Sequence, residues 1–113
     1  MPGGYQYLKK KSLEQYQLKK EEDSLKYRYG ITLEQRDKML DEQGGLCAIC
    51  SEELSVKVKA KNKACVDHCH ESNTIRGILC YQCNVGLGSF KDNIELFERA
   101  IKYLEEKETA YDF

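Results

Sequence analysis

Hydrophobic and polar positions change rhythm twice along the chain. Up to Gly30, the residues Leu13, Tyr16, Leu18, Leu25, Tyr27 and Tyr29 are scattered among Lys, Glu and Gln. Helix formers with so thin an apolar stripe predict a helical or partly ordered N-terminal arm over residues 1–30. Gly30 breaks this pattern. Thr32-Leu33-Glu34-Gln35 then reads as a capping box opening a helix through about Gln43, which Gly44-Gly45 ends. From Leu46 to Asn84 the helical period disappears. Val56, Val58 and Ala60 alternate with Lys57, Lys59 and Lys61, the period of two expected of a strand with one charged face, and Cys65 to His70 is a second strand candidate. After Cys83, Asn84-Val85-Gly86-Leu87-Gly88 reads as a short helix weakened by its glycines. Asp92-Asn93-Ile94-Glu95 is a second capping box. It opens the most regular helix, with Ile94, Phe97, Ala100, Ile101 and Leu104 on one stripe and Glu95, Glu98, Lys102 and Glu105 off it. Tyr111-Asp112-Phe113 reads as a frayed end.

Composition narrows the class. With 113 residues, 33% charged and 41% hydrophobic, the chain suits one small domain and leaves little room for a second core. Apolar stretches such as Gly77-Ile78-Leu79-Cys80 fall far below the roughly 20 residues of a membrane helix, and Met1-Pro2-Gly3-Gly4 opens no signal segment. The expectation is therefore a protein that is neither secreted nor membrane-bound. Six cysteines would suit a disulfide framework outside the cell, but two Cys-x-x-Cys pairs without an export signal read as metal binding in a reducing cytoplasm.

The net charge of -1 conceals blocks. Within residues 1–30, Lys9, Lys10, Lys11, Lys19, Lys20, Lys26 and Arg28 outnumber Glu14, Glu21, Glu22 and Asp23, leaving +3. Between Leu54 and Lys91, the residues Lys57, Lys59, Lys61, Lys63, Arg76 and Lys91 oppose only Asp67 and Glu71, leaving +4. A locally basic face is compatible with that distribution.

Cys47-Ala48-Ile49-Cys50 and Cys80-Tyr81-Gln82-Cys83 are two knuckles whose spacing lets paired thiolates take adjacent corners of a tetrahedron about Zn²⁺. Together Cys47, Cys50, Cys80 and Cys83 complete a closed structural site. A redox dithiol is the competing reading, but it wants one pair on a thioredoxin-like unit. Such sites bind with apparent energies of about 10–16 kcal/mol, as large as the whole stability of a small domain. Cys65 and Cys69, although flanked by His68 and His70, are read as small buried side chains: strand alternation would put the two thiols and the two imidazoles on opposite faces.

The knuckles are separated by 29 residues, Ser51 to Leu79, so something is inserted between them. That insertion carries Val66-Asp67-His68-Cys69-His70, and Asn84 follows the last cysteine. The Asp67 carboxylate and Asn84 carbonyl suit a hard cation such as Mg²⁺, and His68 beside it suits a general base. Taken singly, Asp67 reads as a solvated charge, His68 as a packing residue and Asn84 as a cap. Placed together against two knuckles, they read as a site. Adjacent residues of a regular strand point to opposite faces, so this requires a bend or strand end at Asp67-His68.

The arrangement resembles the phage recombination endonuclease VII family, part of the wider HNH, or His-metal finger, nucleases. The resemblance is carried by Cys47-x-x-Cys50, Asp67-His68-x-His70, Arg76-Gly77-Ile78-Leu79-Cys80-x-x-Cys83-Asn84 and Gly86-Leu87-Gly88-x-Phe90-x-Asp92-Asn93, and spans roughly Tyr29 to Leu104. It implies an α+β fold with a zinc-bound ββα-metal finger core and flanking helices: an arm at 1–30, a nuclease domain at 31–107 and a tail at 108–113. It further implies that Asp67 and Asn84 hold catalytic Mg²⁺ or Mn²⁺, that His68 activates water, and that His70 contacts the scissile phosphate. Two positions depart from the family. Ile75 stands where many HNH proteins carry a middle Asn, leaving Asn73 as the candidate brace, and Leu87 stands where an acidic group can occur.

The implied activity is hydrolysis of a DNA phosphodiester, leaving 5′-phosphate and 3′-hydroxyl ends, in the cytoplasm of a bacterial host. Lys57, Lys59, Lys61, Lys63 and Arg76 are the candidate backbone contacts. Edge-strand lysines that prevent sheet association would look the same. The first 30 residues are compatible with a homodimer interface, since endonuclease VII proper is dimeric. The competing function is a zinc-stabilised DNA- or protein-binding module that never cleaves, which would need the cysteines and lysines but not Asp67, His68 and Asn84 together.

Overall fold

The computed structural model describes residues 2–106, with side chains from Ser12 onward. Residue 107, the expected tail at 108–113 and the side chains of Lys9, Lys10 and Lys11 lie outside the described residues. The order of elements is α1 (Pro2–Tyr29), α2 (Leu33–Glu42), β1 (Cys65–His68), β2 (Ile75–Leu79), α3 (Tyr81–Ser89) and α4 (Ile94–Glu106). The class is α+β, and β1, β2 and α3 form the expected ββα unit.

Local chemistry explains the helix boundaries. Thr32 and Gln35 make the reciprocal bonds of a capping box, with the Gln35 N–H donating to Thr32 Oγ1 at 3.1 Å and the Thr32 N–H to Gln35 Oε1 at 2.9 Å. At the other end of α2, Gly44 and Gly45 take φ of 69° and 77°, and the Gly45 N–H donates back to the Leu40 carbonyl at 2.9 Å. Only glycine enters that left-handed region without penalty. The second capping box does not form as expected. Asn93, one residue later than Asp92, accepts the Leu96 N–H at 3.3 Å, and Asp92 turns elsewhere.

Two expectations for the middle segment are corrected. Val56 to Ala60 is a turn and not a strand, with only an isolated bridge between Ser55 and Lys63. The alternating lysines therefore do not share a strand face. The second strand is shorter than expected, ending at His68, so Cys69 and His70 belong to the following turn and escape strand alternation.

The antiparallel pair β1–β2 carries two small cores, one on each face. Ile78, fully buried, joins Leu25, Leu40, Ala64 and Val66 on one side. Its neighbour Leu79 joins Cys47 and Cys80 on the other, as the period of two in a strand demands. Gln43 completes the sheet edge with its side chain: Nε2 donates to the carbonyls of Leu46 and Ile78, each at 2.9 Å, and Oε1 accepts the Ile78 N–H at 2.9 Å. A Cβ at position 77 would stand 3.1 Å from Gln43 Oε1, which is why Gly77 occupies it.

The end of α1 at Tyr29 coincides with the expected division near residue 30, but packing crosses it. Leu25 lies in the core, Tyr29 packs against it, and Glu21 pairs with both Arg36 of α2 and Lys63. Arg36 is only 3% exposed. Without Glu21, Arg36 keeps only the largely exposed Asp37, at 3.0 Å, so the cost is about 1–3 kcal/mol. Urea unfolding of Glu21→Ala should show a loss of about that size, with an unchanged free energy excluding the pair as an anchor of α1.

Candidate metal centre and cleft

Cys80 fixes the first element of the site. It follows β2 directly, caps α3 by accepting the Cys83 N–H on its sulfur at 3.4 Å, and is buried. Helix α3 therefore begins at Tyr81, earlier than the expected start at Asn84, because the cap is a cysteine. The other knuckle is a turn closed by the Ser51 N–H to the Cys47 carbonyl at 3.0 Å and the Cys47 N–H to the Glu52 carbonyl at 2.8 Å.

The ligating atoms of Cys47, Cys50, Cys80 and Cys83 all lie within 4.8 Å of one another, and the Cys50 and Cys80 sulfurs are 3.7 Å apart. Zn–S bonds of about 2.3 Å give a tetrahedral edge of about 3.8 Å, so the donor set fits such an ion. Burial resists ionisation of Cys47, but N–H groups of Cys50, Cys80 and Ile49 outweigh it and bring the thiol down to about 6. Burial and the neighbouring thiols push Cys83 up to about 12. Converging thiols that ionise so unequally need a cation to hold all four as thiolates. Among the described residues, no other three His, Cys, Asp or Glu side chains bring their ligand atoms within 4.8 Å of one another.

Cys65 is half-buried, its thiol pushed up by burial, while Cys69 reaches a cleft, its thiol lowered by the Ser72 side chain.

The second element is that cleft, about 420 Å³, lined by Cys69, His70, Glu71, Arg76, Gly88, Lys91 and Asp92. Asp67 is 7% exposed and does not line the cleft itself; it is held by the cleft residue Arg76 through Nε to Oδ2 at 2.7 Å and Nη2 to Oδ1 at 2.9 Å. These hydrogen bonds raise the Arg76 pKa further. Asn84 is half-buried in α3, four residues before the cleft residue Gly88, and neither it nor His68 lines the cleft. His68 is half-buried, its ring centroid 4.5 Å from that of His70 and 5.3 Å from that of Tyr29.

The required irregularity is present at the expected point. Asp67 pairs with Gly77 but His68 with Ile75, so the register slips between them and β1 then ends. Ile75 packs in the core, and Asn73 braces the turn through its backbone, at φ 59°, donating to the Cys69 carbonyl at 2.7 Å. Leu87, standing where an acid can occur, packs on the cysteine cluster.

The basic candidates are dispersed. Lys63 donates to the Val56 carbonyl at 2.7 Å and pairs with Glu21. Lys59 faces α1 beside Tyr16 and Lys20, Lys61 borders Tyr81, and Lys57 is exposed.

The sequence profile of recombination endonuclease VII matches residues 22–106. The chain belongs to the recombination endonuclease VII family. Among similar proteins, the Gene 59 protein of Mycobacterium phage L5 is 42% identical over 77 residues, covering 67% of this chain and 44% of the phage protein. The chain thus spans less than half the length of this relative. A solved structure, the ββα-Me type II restriction endonuclease Hpy99I, is 34% identical, with a TM-score of 0.49 over 76% of this chain and 48% of its own. No helix among the described residues is long and apolar enough to cross a membrane.

Residues that sequence reasoning passes over include Tyr29, Gln43 and Asp92; only Asp92 lies within a motif of the resemblance. Chelation of the ion held by the four cysteines should abolish the cooperative thermal transition, and added Zn²⁺ should restore it. A transition surviving complete removal of metal would exclude a structural role for the ion.

Proposed function

We propose that the chain is a divalent-metal-dependent DNA endonuclease with His68 as its general base. The observation carrying this reading is a buried carboxylate, Asp67, bound through both oxygens to Arg76 of a cleft that His70 and Lys91 also line, within a member of the endonuclease VII family.

A Zn²⁺ bound by Cys47, Cys50, Cys80 and Cys83 has no open position and serves as scaffold. Asp67 and the carbonyl oxygen of Asn84 are hard oxygen donors that would hold Mg²⁺ or Mn²⁺. When bound, that ion neutralises charge developing on the leaving oxygen. His68 takes the proton from the attacking water, and its contacts with Tyr29 and His70 restrict the ring. His70, exposed at the rim, meets the scissile phosphate. The water attacks phosphorus in line with the bond to the 3′-oxygen. That bond breaks, the 3′-oxygen leaves and takes up a proton, and the phosphate stays on the 5′ side. The products are a 3′-hydroxyl and a 5′-phosphate.

Lys57, Lys59 and Lys61 supply positive charge on the turn that precedes β1, and Lys91 supplies it at the cleft, where Arg76 is paired with Asp67. Two measurements check these roles. Plasmid nicking in Mg²⁺ or Mn²⁺ should fall by about 10²- to 10⁴-fold in His68→Ala, while fold and zinc content are kept. Nicking at the wild-type rate in that variant removes His68 from the reaction, and DNA binding without any nicking by the wild-type chain identifies a binding module. Neutralising Lys57, Lys59 and Lys61 together should flatten the salt dependence of DNA affinity by roughly 0.9 for each phosphate that these lysines no longer neutralise. An unchanged slope excludes them from the interface.

A further inference from the structure

Arg76 is the unmatched residue of the β-bulge. Asp67 pairs with Gly77 and His68 with Ile75, so Arg76 stands opposite no residue of β1. A bulge re-aims the side chain it carries. Here the guanidinium grips both oxygens of Asp67 and also reaches Asp92 Oδ2 at 3.3 Å. The Asp67 side chain is 10% exposed, whereas that of Arg76 is 37% exposed. A buried carboxylate thus has both oxygens taken by a fork that is itself open to the cleft and has a second anion beside it.

Given the reading of Asp67 as a metal ligand, on which this rests, we propose that Arg76 is the resident counter-ion of the metal seat. A divalent cation and the guanidinium compete for the same two oxygens. Metal loading is then an exchange of cations, which moves Arg76 from Asp67 to Asp92 and, when DNA is present, to a backbone phosphate.

Three physical points support the exchange. A buried carboxylate needs a positive partner, and Arg76 supplies one through both oxygens. Two cations crowded on one carboxylate repel each other strongly in a site of reduced dielectric. Asp92 gives the displaced guanidinium a partner within its present reach, so that exchange does not strand a charge. A phosphate adds a further partner, so metal and DNA should each strengthen binding of the other. Arg76 is in this sense a positioning residue acting through Asp67.

The test is isothermal titration of Mn²⁺ into the zinc-loaded full chain without DNA, comparing wild type with Arg76→Gln, Arg76→Lys and Asp67→Asn. Arg76→Gln should bind Mn²⁺ about tenfold more tightly. Arg76→Lys should also bind more tightly although the charge is kept, because an ammonium cannot fork two oxygens. Wild-type affinity in Arg76→Lys beside tighter binding in Arg76→Gln indicates simple repulsion and overturns the proposal. Wild-type affinity in both overturns it as well, provided that Asp67→Asn loses the Mn²⁺ site. Undiminished binding by Asp67→Asn overturns instead the assignment of Asp67 as a ligand. Should the Arg76 variants fail to fold, the wild-type protein still decides. The ¹⁵Nε–H signal of Arg76 should shift and exchange faster with water as Mg²⁺ saturates the site, and a signal unchanged at saturation overturns the exchange.

Discussion

The convergence of four sulfurs holds the rest of the molecule in register. Among the described residues eight hydrophobic side chains are buried, and three of them, Cys47, Leu79 and Cys80, form the cluster around those sulfurs. So small an apolar interior cannot by itself offset the conformational entropy of the chain. The cluster also closes the 29-residue insertion from Ser51 to Leu79, whose ends would otherwise cost entropy to bring together. Because Cys80 is at once the exit of β2, the cap of α3 and a member of the cluster, strand and helix are joined without slack. Asn84 is then carried at a fixed rotation in the first turn of α3, directly after Cys83.

The sheet works as a divider between that cluster and the larger core. Ile78 and Leu79 point to opposite faces, and both are buried. Gln43 lends the edge of β2 a side-chain amide in place of a third strand, which fixes the height of α2 against the sheet. Helix α1 is tied in by the Glu21 pairs and by Leu25, and its last residue, Tyr29, forms one wall against His68. A helix that looks like an arm in sequence thus contributes its end to the side of the molecule that carries the two histidines.

Where bonding is local, the sequence is legible. The Thr32–Gln35 box, the Gly44-Gly45 stop, the amphipathic run beginning at Ile94 and the two cysteine knuckles depend on residues a few positions apart, and each stands as the pattern indicates. Where partners are distant, the pattern misleads. Strand β2 has no alternation to read because both of its faces are covered, so Ile78-Leu79 looks like a plain apolar run. The alternating Val and Lys from Val56 to Ala60 imitate a strand, but no neighbouring strand pairs with them. Asp92 has the spacing of a cap, yet Arg76, sixteen residues earlier, claims its carboxylate. The clustering of Asp67, Arg76 and Asp92 depends on a bulge that no spacing rule announces.

Charge shows the same division between local and distant. A count along residues 54–91 gives an excess of +4, as though all six basic side chains faced solvent together. The fold removes two of them from that role, since Lys63 is paired with Glu21 and Arg76 with Asp67. Among the described residues, Lys57, Lys59, Lys61 and Lys91 make no ion pair within 4.0 Å. The two groups act differently. The paired charge across the sheet fixes which residues meet, because a slip would part Asp67 from Arg76 and leave its carboxylate uncompensated away from water. Unpaired charges on the turn and at the cleft contribute a field that reaches outward about a Debye length and weakens with salt. The cleft itself carries both signs, since Glu71 and Asp92 line it together with Arg76 and Lys91, so on this nearly neutral chain the outward basic field comes from the exposed lysines of the turn, Lys57, Lys59 and Lys61.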